Sequence, residues 1–266
     1  AFLNNADEPD FLIPVAGNAG AQRDKLARAK QLLSELSRHW PTKGEPQEVK
    51  FTKWLSDLRH KAAAWKPLRP RQATTNLPLL TLENDSVVFC SGDTTKHDTY
   101  KLRFDKSDQQ IAALRLEALP DSRLPAGGPG MTFYEGRKGD FFLSEFKVQA
   151  NGRPRKIASA SESYARNRFG SNPVNATLAT DGDLQTGWSI ADAVAQRHVA
   201  VFVLATPIPA GTPFELEMHF GRHFGSSLGK FRVSTTDQPR GGHALALGQS
   251  IERLLTRRDD ELTKED

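Results

Sequence analysis

One cysteine in 266 residues, Cys90, leaves nothing to pair with, so an internal disulfide is excluded. It sits in the strand-like run Val87-Val88-Phe89-Cys90, the setting of a small buried thiol rather than a reactive one. There is no C-x-x-C-H, so the chain carries no covalently attached c-type haem of its own. No apolar stretch approaches membrane-spanning length, and no signal peptide is present. Basic residues exceed acidic ones only slightly, 36 against 32, and no Lys/Arg run is dense enough to follow a phosphate backbone. That argues against nucleic acid as a partner, despite a pI of about 9.2.

Catalytic arrangements are missing too. The chain has no G-x-S-x-G elbow, no Cys–His pair and no H-E-x-x-H. Leu124-Pro-Ala-Gly-Gly-Pro-Gly130 has no following Lys and no flanking helix, so it is a surface loop and not a phosphate loop. His219 and His223 are four apart, but in a strand that runs into a glycine loop. Two imidazoles there fall short of the three or four ligands that zinc takes.

What is present divides the chain into four parts. Residues 1–20 are irregular, and residues 21–66 predict a helical hairpin. Its first helix spans about Ala21–His39 on a stripe of Leu26, Ala29, Leu32, Leu33 and Leu36. Pro41 to Pro46 breaks the run, and a second helix comes next over about Gln47–Ala64 on Phe51, Leu55, Leu58 and Ala62. Trp40, Trp54 and Trp65 are expected to anchor this hairpin to the β-rich part of the chain.

Residues 67–238 change character: short β-branched runs bounded by Gly, Pro, Asn and Asp predict an antiparallel β-sandwich. Strands are expected at Leu79–Leu82, Ser86–Ser91, Asp98–Phe104, Ile111–Ala118, Gly139–Ala150, Arg155–Ala160, His198–Leu204, Thr212–His219 and Lys230–Thr235. Phe214, Leu216, Met218 and Phe220 should face inward, with Glu215, Glu217 and His219 outward. Residues 239–266 predict a helix over about Ala244–Glu261 and a charged linker.

Asn175-Ala-Thr-Leu-Ala-Thr-Asp181-Gly182-Asp183-Leu-Gln-Thr186-Gly-Trp188 is the most informative stretch. Asp-Gly-Asp suits a tight turn, and such a turn gathers oxygens in the way a hard cation such as calcium requires. Read from these residues alone, a polar hairpin turn leading into a core Trp188 serves as well. The spacing is not that of an EF-hand.

Neighbouring segments tip that balance. Ile157-Ala-Ser-Ala-Ser-Glu-Ser-Tyr164, the Asn175-to-Trp188 stretch, and Phe141-Phe-Leu-Ser-Glu145-Phe-Lys-Val148 resemble the discoidin-like family of galactose-binding-like carbohydrate modules. In that family the Glu-containing strand comes last. Here it precedes the Asp-Gly-Asp loop, so the order looks circularly permuted, which a sandwich with adjacent chain ends tolerates. The resemblance implies a jelly-roll fold. It also implies one calcium held by Glu145, Asp181, Asp183 and the Thr186 hydroxyl, with carbonyls including that of Leu178.

A wider resemblance covers about Asn4 to Thr236. Leu82 to Gly92, Asp98-Thr-Tyr100, Ile111 to Pro120, Leu124 to Gly130 and Leu228 to Ser234 look like the middle segment of planctomycete multidomain cytochrome-c-type proteins. The opening Ala1 to Pro9, with no initiating Met, is similar to the end of the preceding domain there. The chain therefore reads as a piece of a longer protein, expected in the periplasm or at the cell surface, with flanking domains as partners.

The functional expectation is a non-catalytic carbohydrate-binding module stabilised by calcium. Its ligand is a polysaccharide, an acidic one by preference. The binding loops are Thr132–Lys138 and Gly221–Ser227, carrying Tyr134, Arg137, Arg222 and His223. The alternative is a purely structural scaffold between domains, with no glycan ligand.

Overall fold

The computed structural model describes residues 27–28, 30–31, 34, 46–134, 136–167, 171–222, 224–238 and 242–257. The chain divides into two compact units, Ala1–Leu55 and Ser56–Asp266. Helix α1, Pro46–Lys61, has Glu48 in its first turn and Arg59, His60 and Lys61 in its last, each suited to the helix dipole. It is shorter than expected at its C-terminus. Leu55, Leu58 and Ala62 are half-buried, but Phe51 and Trp54 are exposed and pack on each other, with ring centroids 5.6 Å apart. Trp54 is thus a surface residue. The irregular tail, most of the expected first helix, its pairing with α1, and Trp40 lie outside the described residues.

The second unit is mainly β, and all its strand pairs are antiparallel. In chain order the strands are β1 Lys66–Leu68, β2 Gln72–Thr75, β3 Leu79–Leu82, β4 Val87–Ser91, β5 Asp98–Phe104, β6 Ile111–Ala118 and β7 Phe142–Leu143. The remainder are β8 Glu145–Ala150, β9 Arg153–Arg155, β10 Ile157–Glu162, β11 Trp188–Ser189, β12 His198–Ile208, β13 Phe214–Phe220 and β14 Lys230–Thr236. One sheet runs β10-β12-β6-β14-β4-β3, with β1 also on β14. A second runs β2-β5-β13-β8-β9, and β7 and β11 form a small pair.

Several expectations need adjustment. The predicted Gly139–Ala150 strand is interrupted at Ser144, whose amide turns to the His219 carbonyl at 2.8 Å. β1, β2 and β11 are too short and polar to show a two-residue period. The C-terminal helix α2 covers only Gln249–Leu255, and residues 242–248 before it are not helical. The β8–β9 connection is the two-residue turn Asn151-Gly152 with φ of +52° and +70°, backbone that Asn-Gly adopts at low cost.

The core lies between the two large sheets. β13 alternates as its sequence demands: Phe214, Leu216, Met218 and Phe220 are buried, and the residues between them are half-buried. Phe146 of one sheet stacks on Phe202 of the other at 3.8 Å and 7°. Tyr100 packs against Phe231, and its hydroxyl reaches the Leu228 carbonyl at 2.9 Å and Cys90 Sγ at 3.0 Å. Burial pushes the Cys90 thiol up to about 11, so it stays protonated and inert at neutral pH.

All eight residues of β6 are buried, Arg115 and Glu117 included. Both of its faces are therefore covered. Arg115, Arg197 and Arg232 gather on Glu117 beneath the C-terminal segment.

Candidate metal loop and ligand-binding end

Each segment of the Asp-Gly-Asp loop is held by its own backbone chemistry. Asn175 Oδ1 accepts the Leu178 amide at 2.9 Å and starts a short 3-10 turn, Thr177–Thr180. Asp181 Oδ1 then accepts the Asp183 amide, and Asp183 Oδ1 the Gln185 amide, both at 2.9 Å. These are two successive aspartate turns, with Gly182 at φ +87° between them. At Gly187 the loop passes so close to β7 that an added Cβ would lie 2.1 Å from the Leu143 carbonyl oxygen. Trp188 then enters the core, its Nε1 donating to the Tyr164 carbonyl at 2.8 Å and its ring edge-on to Phe141.

Of the five expected metal-loop residues, Thr186 meets the Asp181 carboxylate and the Leu178 carbonyl, the Asp183 carboxylate is turned to the Gln185 amide, and Glu145 reaches the loop at the Gly182 amide. The hydroxyl of Thr186 lies 2.8 Å from Asp181 Oδ2, 3.1 Å from the Asp183 carbonyl and 3.4 Å from the Leu178 carbonyl. A hydroxyl has one proton to give, so three acceptor oxygens compete for a single hydrogen. Glu145, 2% exposed, reaches over from β8, and its Oε1 accepts the Gly182 amide at 2.6 Å. Burial raises the Glu145 carboxyl above its ordinary range. The Gly182 N–H and Lys147 act against this, and the charges of Asp181 and Asp183 add to it.

Oxygen donors with an excess of negative charge are the chemistry that a hard cation such as calcium takes. Among the described residues, no group of three His, Cys, Asp or Glu side chains is placed to hold a metal ion. A cation here would depend on the Thr186 hydroxyl and the carbonyls as much as on carboxylates.

The two expected ligand loops lie side by side at this same end of β13. The Met131 amide donates to the Ser227 carbonyl, and Phe142 to Ser226, both at 2.8 Å. Tyr134 stacks on Phe224 at 4.7 Å and 21°, Phe133 beside it is 58% exposed, and Arg137 is exposed opposite Phe133. Arg222 is more enclosed than its loop position suggests. Its guanidinium lies 3.7 Å over the Phe142 ring and donates to Asn167 Oδ1 at 3.2 Å. His223 lies outside the described residues.

The Asp-Gly-Asp loop touches this surface directly. A Cβ on Gly221 would come within 2.8 Å of the Leu184 carbonyl oxygen and 2.9 Å of Ser144 Oγ. A further neighbour is the β4–β5 loop: Thr94 Oγ1 would sit 2.5 Å from a Cβ on Gly225. Neither that loop nor Asn167 has a motif by which sequence could have marked it.

At the opposite end of the second sheet is an open groove of about 680 Å³ lined by Arg71, Arg103, Gln149, Asn151 and Phe214. Its arginines are engaged, Arg71 with Asp105 at 3.5 Å and Arg103 with Glu215 at 2.7 Å.

No family model matches the chain, and no curated protein does. Among solved structures it is similar to the catalytic domain of a GH87 α-1,3-glucanase in complex with nigerose. The identity is 12%, 67% of this chain and 29% of that one are covered, and the TM-score is 0.27. Variants of that domain in complex with tetrasaccharides and with nigerose give 11% and 10% identity, with TM-scores of 0.27 and 0.28 and the same coverage. The chain thus spans under a third of those proteins, and a TM-score this low carries no weight for fold or function. Among the described residues no helix is long and apolar enough to cross a membrane.

Proposed function

We propose that residues 67–238 form a permuted galactose-binding-like module of the jelly-roll type. In this reading it is non-catalytic, is stabilised by calcium and binds polysaccharide at the end that carries the Tyr134–Phe224 pair. It belongs to the middle segment of a planctomycete multidomain cytochrome-c-type protein, placed in the periplasm or at the cell surface between flanking domains. The observation that supports it best is the meeting of two segments 37 residues apart in sequence, Glu145 and Gly182. Bound calcium would supply charge neutralisation and a cross-link between β8 and the loop. Glu145, Asp181, Asp183, Thr186 and the Leu178 carbonyl are the residues that would hold it.

Calcium titration into metal-free protein tests this part. Saturable binding by calorimetry should accompany a rise in thermal midpoint. About 2.7 kcal/mol of stabilisation corresponds to calcium at about 100 times its dissociation constant. Glu145→Gln should weaken calcium binding and shrink that rise. No heat of binding and no change in midpoint would sink the metal reading.

For the ligand, the exposed Phe133 edge, the Tyr134–Phe224 stack and Arg137 suit a sugar bearing a carboxylate or sulfate. Affinity measurements on polygalacturonate and chondroitin sulfate, with neutral galactan as control, should show binding to the acidic polymers that falls with salt. Arg222→Ala should weaken it several-fold.

One observation favours the alternative, a scaffold with no glycan ligand. Arg222 is already committed to Phe142 and Asn167 and ties two loops together. That reading expects no saturable binding to any of the three polymers.

A further inference from the structure

The sequence from Gly242 to Leu255 forms a strap on the outer face of the seven-stranded sheet. Polar contacts fix it at several points. The Ala244 amide donates to Ser161 Oγ at 2.9 Å, and the Leu247 carbonyl accepts Arg197 Nη1 at 3.3 Å. From α2 a single carboxylate descends: Glu252, 8% exposed, lies 2.9 Å from Arg115 Nη1 and 3.3 Å from Arg197 Nη2. Leu255 is the one buried apolar side chain of α2 among the described residues, and Ile251 is 47% exposed.

Beneath the strap, Glu117 faces Arg115, Arg197 and Arg232 at 3.2, 2.9 and 2.8 Å. Three guanidiniums against one carboxylate leave two positive charges uncompensated in a covered site. Glu252 is the second carboxylate the cluster needs, and it comes from the strap rather than from the sheet. The strap also has a free side. Leu245–Gly248 form one wall of a groove of about 410 Å³ whose other wall is Ser163, Tyr164, Gln196, Arg197 and His198. Arg197 therefore belongs both to the attachment and to the groove.

We propose that Glu252 is a latch, and that the strap is a lid whose closure along the Tyr164–His198 groove depends on this ion-paired carboxylate. A seven-residue helix does not persist alone in water, because nucleation costs more than so few hydrogen bonds return. Withdrawal of Glu252 therefore unfolds α2 rather than merely shifting it, and the groove loses its Leu245–Gly248 wall. The surface then exposed carries three arginines around one glutamate, and it is receptive to anions.

Hydrogen exchange on the full chain, read by mass spectrometry, tests the latch. Glu252→Gln keeps the shape of the side chain and removes its charge. It should raise exchange of the Gln249–Leu255 amides at least about tenfold, while β6, β12 and β14 remain protected. Ser250→Ala, at an exposed position of the same helix, should leave exchange unchanged. The proposal is overturned if Glu252→Gln leaves α2 as protected as before. It is also overturned if the sheet loosens together with the strap, since Glu252 is then part of the core. Leu255→Ala provides a further check: loosening by this variant and not by Glu252→Gln would mean that the strap is held by apolar contact, and no latch exists.

Discussion

Glu117→Gln is expected to destabilise the protein by about 3–5 kcal/mol, the usual consequence of removing one partner from a buried ion cluster. Glu117 is fully buried on β6. Burial alone would raise its carboxyl, but the Arg232 hydrogen bonds and the charges of Arg115 and Arg197 outweigh that and hold it at about 2. The variant keeps the volume and leaves three guanidiniums facing an uncharged amide. Removing an exposed partner should do far less: Asp105→Asn, at a pair where both side chains are over two-thirds exposed, should cost about 0–1 kcal/mol. Urea unfolding of the two variants at neutral pH makes the comparison. A loss below about 1 kcal/mol for Glu117→Gln would mean that the cluster is far better solvated than its burial indicates.

The same carboxylate sets an acid limit. Its folded pKa lies below the ordinary 4.5 of the unfolded chain, so its contribution is fully present above about 4.5. It is lost as pH falls towards about 2. At about 1.4 kcal/mol per pKa unit, the contribution is of order 3 kcal/mol. Stability measured from pH 5 to pH 2 should therefore fall in the native protein and fall less steeply in Glu117→Gln. Parallel pH profiles for the two would show that other carboxylates dominate acid unfolding.

Phe202→Ala should cost about 3–5 kcal/mol by loss of transfer energy and creation of a cavity. Phe202 is fully buried and stacks on Phe146 at the seam between the two sheets. Truncating Phe146 as well should add less than its separate cost, because the two rings share one space. A denaturation midpoint within error of the native one would place Phe202 outside the stabilising core.

Part of this structure was legible in the sequence because its physical cause is local. Strand β13 alternates because side chains point to opposite faces with a period of two, and Phe214 to Phe220 alternate in polarity accordingly. The Asp-Gly-Asp turn was legible for a similar reason, since aspartate turns close over two residues. The place of Glu145 came from a resemblance, and neither composition nor spacing would have led to it. The C-terminal helix was overestimated because Leu245 and Leu247 fit a helical stripe, although their segment is not helical and lines the Arg197 groove. Arg222 read as a free loop cation. Nothing near it in the chain shows the Phe142 ring and the Asn167 amide that enclose it.

By itself the sequence determined the β class, the alternation of β13, the burial of Cys90 and the turn chemistry of the Asp-Gly-Asp loop. Those properties arise from side-chain period, propensity and hydrogen bonds between residues a few positions apart. Tertiary structure alone decided which ends of the sheets the loops share, and that Arg115 and Glu117 are interior groups. It also supplied Glu252, 137 residues from Arg115 in sequence, as the partner of that site. A charged residue on a strand carries no local mark of being covered; its burial depends on what distant chain packs over it, and here that chain is the strap.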